Sequence, residues 1–415
     1  MIEKLITIFI FLAVYALAMS RKVKIAYASV AGAALLLLFG VISPQTALLQ
    51  TIRWDVLGIY WGFMMVSMIF AESRIPVWIA NRIAMRMGTE RYVIFGLCAF
   101  TALISAFMEN VGVVLMMAPI AIEISKRTKT SLVPLMISVA ISANVVTTLT
   151  MISDPPALVL AMETGMRFFD FYWFQGRLSL GVVTLFGVIA ALMSLLVMFR
   201  RMDKKVSMPA RCIKLDYVPL AIFLAGVAAL AIGPYFGLSP GVVGVAAGIA
   251  SLAAGRSKAK SMLMDFDWNS FFFIMGIFVV IGSLEASGLL VDFVGAIGGL
   301  GISDAAVLLA LVIWISVAAS SFIDNVPYTV LMIPVCMQLA AAVGMSPYPL
   351  YFGMLIGTGI GGNITPVGAT ANVFAMGILE KHGYKVKLKE YMKISVPFSL
   401  VAVLVSHILL QLLWL

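Results

Sequence analysis

Charge is scarce in this sequence. Of its 415 residues only 11% are Asp, Glu, Lys or Arg, while 62% are hydrophobic. A soluble domain carries about 25% charged residues, so a water-facing globular surface is excluded. Histidine is limited to His382 and His407, which leaves no histidine-rich metal cluster. Three distant cysteines, Cys98, Cys212 and Cys336, fit neither a disulfide framework nor a zinc site and read as small apolar residues. What is present is long apolar sequence. Ile25–Ile42, Leu178–Phe199 and Tyr217–Phe236 each approach the ~20 residues that a membrane helix needs. Leu5–Met19 lacks the basic start and small-residue cleavage site of a signal peptide and reads as a retained helix. The formal charge of +9 does not indicate nucleic acid, because the basic residues sit in short loops. The chain reads as an all-α polytopic membrane protein.

The sequence repeats itself. "SAFMENVGVVLMMAPI" (Ser105–Ile120) lies over "SSFIDNVPYTVLMIPV" (Ser320–Val335) at an offset of 215, matching Glu109 to Asp324, Asn110 to Asn325 and Pro119 to Pro334. Trp54 matches Trp268 at an offset of 214. The expected units are residues 1–199, a basic linker at 200–214, and residues 215–415. In the first unit helices are expected at Leu5–Met19, Ile25–Ile42 and Val56–Ala71, then a surface segment, Glu72–Arg91. Two short runs split at Glu109–Asn110 come next, then another split pair, Leu132–Val145 and Pro155–Met166, and a last helix, Leu178–Phe199.

A re-entrant hairpin at Glu109 and one interrupted span give five crossings per unit, so the second unit is inverted relative to the first. Ten spans and two hairpins result. This topology puts 24 of the 28 Lys and Arg residues on one face, leaving only Lys4, Arg53, Arg167 and Arg177 on the other. Basic loops mark the cytoplasmic side. Both termini are therefore expected outside, the linker 200–214 in the cytoplasm, and the chain in the inner membrane of a prokaryotic cell.

Inverted repeats with interrupted helices are a transporter pattern, with sites where the breaks meet at the midplane. Breaks are expected at Glu109–Asn110, Asn144–Asp154, Asp324–Asn325 and "GTGIGGNITPVGATAN" (Gly357–Asn372). Glycine and proline at such density make a poor helix, but Asn and Thr oxygens there suit a hard cation or a polar solute. Glu109 and Asp324 are the candidates for ion coupling, since buried carboxyls at matched breaks are costly; helix capping is the alternative. For Asp154, which opens "DPP", capping is the first reading and an ion site the second. Asn110, Asn144, Thr148, Thr150, Asn325, Asn363, Thr365, Thr370 and Asn372 are candidate ligands for substrate or ion. A Na⁺ site is placed near Asn110, Asn325, Asn363 and Thr365. No cofactor is expected beyond a coupling ion, H⁺ or Na⁺.

"SAFMENV", "SDPP", "SSFIDNVPYTVLMIP" and "GGNITPVGATANV" together resemble the repeat motifs of the ion transporter superfamily. That group includes arsenite permeases, the P protein, NhaD-type sodium/proton antiporters, citrate transporters and sodium–dicarboxylate symporters. The resemblance spans the whole chain. It implies an elevator-type carrier, often a homodimer, with hairpins and broken helices in the mobile part. Dicarboxylate symporters carry Ser-Asn-Thr at each hairpin tip. Here the triplets are Glu109-Asn110-Val111 and Asp324-Asn325-Val326, which points nearer the arsenite permease and P protein branch. Where relatives read "GDPPN", this chain ends on Ala157, so the two ion sites need not be equivalent.

The expected function is a secondary active ion transporter. It would exchange protons or sodium for a small inorganic ion or an arsenite-like oxyanion. A cation-coupled citrate or dicarboxylate symporter is the alternative; a channel is the alternative from another class. No nucleophile–base or metal set suggests an enzyme. The expected partners are the substrate ion and the lipid bilayer.

Overall fold

A computed structural model describes residues 2–20, 23–206, 215–289, 292, 304–323 and 325–415. Among the described residues nine α-helices of ten residues or more precede residue 200: α1 (Ile2–Ser20), α2 (Ile25–Leu38), α3 (Trp54–Glu72), α4 (Ile75–Met87), α5 (Glu90–Ser105), α6 (Asn110–Thr128), α7 (Leu132–Asn144), α8 (Pro155–Thr164) and α9 (Leu180–Met198). Nine α-helices follow residue 214 among the described residues: α10 (Val218–Ile232), α11 (Pro240–Ala254), α12 (Ala259–Asp265), α13 (Trp268–Ala286), α14 (Ala305–Ser320), α15 (Asn325–Val343), α16 (Tyr348–Gly361), α17 (Thr370–Lys381) and α18 (Leu388–Trp414).

Helices stop where polar and glycine-rich sequence interrupts the apolar runs. α5 ends at Ser105 and α6 resumes at Asn110; α7 ends at Asn144 and α8 resumes behind Pro155. α14 gives way to α15 at Asn325, and α16 yields to α17 across Gly362–Ala369. α7 and α16 are apolar on every side and buried along almost their whole length, as a core helix must be. They form the centre, and the two hairpins, α5/α6 and α14/α15, pack against them.

Contacts come in matched pairs. α2 packs on α13 as α11 packs on α3; α5 on α7 as α14 on α16; α6 on α17 as α15 on α8. The α3/α11 crossing is very close, because a Cβ at Gly62 would overlap the Gly244 carbonyl oxygen. In the α2/α13 crossing a Cβ at Gly276 would stand 2.7 Å from Ser29. Capping is matched too: Asp55 Oδ1 accepts from Gly241 N at 2.9 Å, and Asn269 Oδ1 from Ala26 N at 3.3 Å.

Several expectations change. Six described helices are long and apolar enough to cross a membrane; α2, α7, α11 and α14 are apolar but shorter. α2 stops at Leu38 rather than Ile42, just before Gly40 with φ of 70°. The second hairpin arms are longer than expected, 19 residues each, because α6 and α15 run through Pro119 and Pro334 without breaking. The expected surface segment Glu72–Arg91 contains an amphipathic helix, α4. The linker is no free tether over its described part: Glu90 N donates to Lys204 O and Arg91 N to Met202 O, docking it on the start of α5. Its remainder, 207–214, and Cys212 lie outside the described residues.

Candidate functional site

The hairpin tips rest on one hydrogen-bonding device used twice. Ser105 Oγ reaches Asn110 Oδ1 at 2.8 Å and Ala143 O at 2.9 Å. Ser320 Oγ reaches Asn325 Oδ1 and Thr358 O, both at 2.6 Å. A threonine braces each tip from the neighbouring break: Thr150 donates to Ala106 O, and Thr365 to Ser321 O at 2.6 Å. Non-helical backbone is thereby satisfied at depth, the condition for keeping it inside a membrane protein.

Three amides join the two breaks. Asn144 Nδ2 donates to Asn363 Oδ1 and Asn372 Oδ1, both at 3.0 Å. Asn363 Nδ2 donates to Ile141 O at 2.9 Å, and Asn372 Nδ2 to Gly362 O at 3.1 Å. All three are buried. Thr148 hydrogen-bonds Thr184 of α9 at 2.7 Å.

Beside this knot lies a cavity of about 70 Å³. Glu109, Asp154 and Asp267 line it, with Asn110, Asn144, Asn325, Thr370, Tyr60 and Ser270. No Lys or Arg does. Glu109 is the N-cap of α6, and its Oε2 accepts from Gly112 N at 2.9 Å. A carboxylate is favoured there by the free N–H groups and the helix dipole. Asp154 occupies the N-cap position of α8 ahead of Pro155, yet its side chain makes no cap hydrogen bond to that helix. Asp154 lines the cavity from that N-cap position. Asp267 caps α13 by accepting from Ser270 N at 3.0 Å. Among the described residues no three His, Cys, Asp or Glu side chains converge tightly enough to cage a metal ion. The wall offers carboxylate, amide and hydroxyl oxygens to a cation.

The structure thus gathers Glu109, Asn110, Asn144, Asp154, Asn325 and Thr370 around one cavity. It does not bring Thr148, Thr150, Asn363, Thr365 or Asn372 to its wall. Their polar atoms are used in protein hydrogen bonds that hold the breaks together. Of the expected Na⁺ ligands, Asn110 and Asn325 line the cavity; Asn363 and Thr365 do not. Asp324 lies outside the described residues. Sequence reasoning passed over Tyr60, Ser270 and Asp267. One signal was available: Asp267 precedes Trp268 as Arg53 precedes Trp54, so charged residues sit at matched positions with opposite sign.

The cavity adjoins Ile25 and Asp267, at the N-terminal ends of α2 and α13. Near the opposite ends of those helices lies a larger cavity of about 430 Å³, lined by Ile42, Gly282 and Glu285. There Arg53, ahead of α3, grips Glu163 in the last turn of α8 through Nε–Oε1 at 2.7 Å and Nη2–Oε2 at 2.6 Å. This two-pronged geometry is the strong form of a carboxylate pair.

Known proteins share this sequence and shape. The family described as citrate transporter matches residues 15–357. An uncharacterized transporter of Mycobacterium tuberculosis is 25% identical over 427 residues, covering 98% of each chain. The P protein of Homo sapiens is 25% identical over 497 residues, covering 95% of this chain and 59% of that protein. In structure, the YdaH transporter of Alcanivorax borkumensis, described as having an unusual topology, aligns with a TM-score of 0.60. That alignment covers 99% of this chain and 97% of the other at 15% identity, a likeness of fold alone.

Proposed function

The chain belongs to the citrate transporter family, and from that membership we propose that it is a secondary active transporter coupled to protons or sodium. The observation that carries this reading is the cavity between the hairpin tip and the broken helices. Three carboxylates line it and, among the described residues, no basic side chain does. Such a wall attracts a cation and repels a multivalent anion at Coulomb range. The coupling ion, H⁺ or Na⁺, belongs at Glu109, with Asn110, Asn144 and Asn325 supplying neutral oxygens. A small inorganic ion or weakly charged oxyanion is the favoured exchanged solute. A carboxylate symporter is the second reading, favoured by the description of the family; the cation would then offset the charge of the carboxylate.

The two halves act as inverted repeats, and an elevator motion carries the hairpins and broken helices past α1–α3, α10, α11 and α13. The matched contacts and matched hydrogen bonds support this. The acidic cavity adjoins the ends of α2 and α13 that follow basic loops, so this state faces the cytoplasm if those loops are cytoplasmic. The Arg53–Glu163 pair closes the other side. A second copy of the chain would pack on the scaffold, where α10 exposes much of its apolar surface.

Purified protein in vesicles loaded with a pH-sensitive dye tests the proposal. Addition of Na⁺, arsenite or citrate should move protons in one arm. Proton flux with citrate alone would select the second reading. No flux or solute accumulation in any arm would overturn coupling by either ion.

A further inference from the structure

A third cavity lies away from the acidic one, at the foot of the last two helices, and has a volume of about 340 Å³. Val367 of the broken-helix loop and Val373 and Met376 of α17 form its apolar wall. Lys385 and Lys387 of the following loop stand at its rim, both exposed, and pair with no acid among the described residues. Among the described residues Glu380 is the one carboxylate on the lining, against Lys385 and Lys387 at the rim. Tyr391 of α18 lines the same cavity, is completely buried, and has a hydroxyl with no hydrogen-bond partner. A buried hydroxyl without a partner is costly and points to a ligand that completes it.

We propose that this cavity binds one anionic phospholipid, with its phosphate at Lys385 and Lys387 and its upper acyl chain along Val367, Val373 and Met376. Two features favour a lipid over a soluble anion. Half of the wall is apolar, with Val367 and Val373 each about two-fifths exposed. The lysines also belong to the basic loop 381–393, which the topology proposed above puts on the cytoplasmic face, where basic pockets between membrane helices hold anionic headgroups. The Tyr391 hydroxyl donates to a phosphate or ester oxygen of the bound lipid.

Occupancy has a structural consequence. Val367 stands two residues beyond Thr365, whose hydroxyl pins this loop to Ser321 O. The lipid therefore braces the same loop that this hydrogen bond holds.

Thermal unfolding of the purified full chain in detergent tests this, with added phosphatidylglycerol, phosphatidylcholine or inorganic phosphate. Ligands that bind only the folded state raise Tm. Phosphatidylglycerol should raise Tm by several degrees; phosphatidylcholine and inorganic phosphate should not. The shift should vanish in a Lys385→Gln/Lys387→Gln variant and survive in Arg256→Gln/Lys260→Gln, which removes equal charge elsewhere. Tyr391→Phe should shrink the shift without lowering the lipid-free Tm. The idea is overturned if the Lys385/Lys387 variant shifts like the parent chain, or if the two double variants lose the shift equally. An equal shift with inorganic phosphate would mean a soluble-anion site and overturn the lipid assignment.

Discussion

The two hairpin tips are built alike and surrounded differently. Both use a serine bonded to an asparagine and to a backbone carbonyl, and both are braced by a threonine from the adjoining break. Around them the matched positions diverge. Asn144 corresponds to Gly359, Thr148 to Asn363, Asp154 to Ala369, Ala157 to Asn372, and Asp267 to Arg53. The shared part satisfies backbone that helices leave open. The unshared part collects carboxylates at the first tip and supplies a cation, Arg53, to the far side. The matched device holds both tips, while the differing positions Asp154 and Asp267 add carboxylates to the first cavity.

The comparison can be broken at several strengths. The largest effect is expected at the helix crossings. Gly62→Ala drives a methyl into the Gly244 backbone, where nothing flexible can give way, so monodisperse protein should be lost on size-exclusion chromatography. The matched Gly276→Ala meets Ser29, partly a side chain, and should cost about 1–3 kcal/mol yet still yield folded protein. Equal outcomes would remove the distinction between the two crossings.

Function comes next. Glu109→Gln should cut proton-coupled flux at least tenfold, about 1.4 kcal/mol or more in transport barrier, and Asp267→Asn should weaken ion dependence. If Glu109→Gln and Asp324→Asn both leave flux and its pH dependence unchanged, the coupling assignment fails.

Smaller effects probe the amide knot. Asn144→Ala strands the side-chain oxygens of Asn363 and Asn372 and should cost roughly 1–3 kcal/mol for each, read as a lower Tm in detergent. Its matched position is Gly359, so no second-half substitution has the same effect. Smallest are Ser105→Ala and Ser320→Ala, each about 0.5–1.5 kcal/mol. If the tips are equivalent their Tm losses agree; a twofold disagreement would mean that the shared device bears unequal loads.

The helices, the breaks and the matched motifs were legible in the sequence, because apolar runs and glycine-rich interruptions are local properties of the chain. Asn110 and Asn325 stood out at matched positions, but their hydrogen bonds to Ser105 and Ser320 were seen only in the structure. The roles of Thr150, Asn363, Thr365 and Asn372 were not legible. Each has the chemistry of a ligand, and only the position of a partner carbonyl or amide decides whether it binds an ion or the protein. Asp267 went unnoticed for the converse reason. It reads as an ordinary helix cap and becomes part of the site only because α13 ends its first turn beside Glu109 and Asp154.

The sequence by itself determined a membrane-embedded helical chain with interrupted helices, since the cost of exposing apolar surface and of leaving backbone unpaired depends on composition and spacing. The tertiary structure alone decided which polar residues face a cavity and which bind one another. Asn144 lies 219 and 228 residues from Asn363 and Asn372, and only packing of α7 against the second break brings their amides to within hydrogen-bond range.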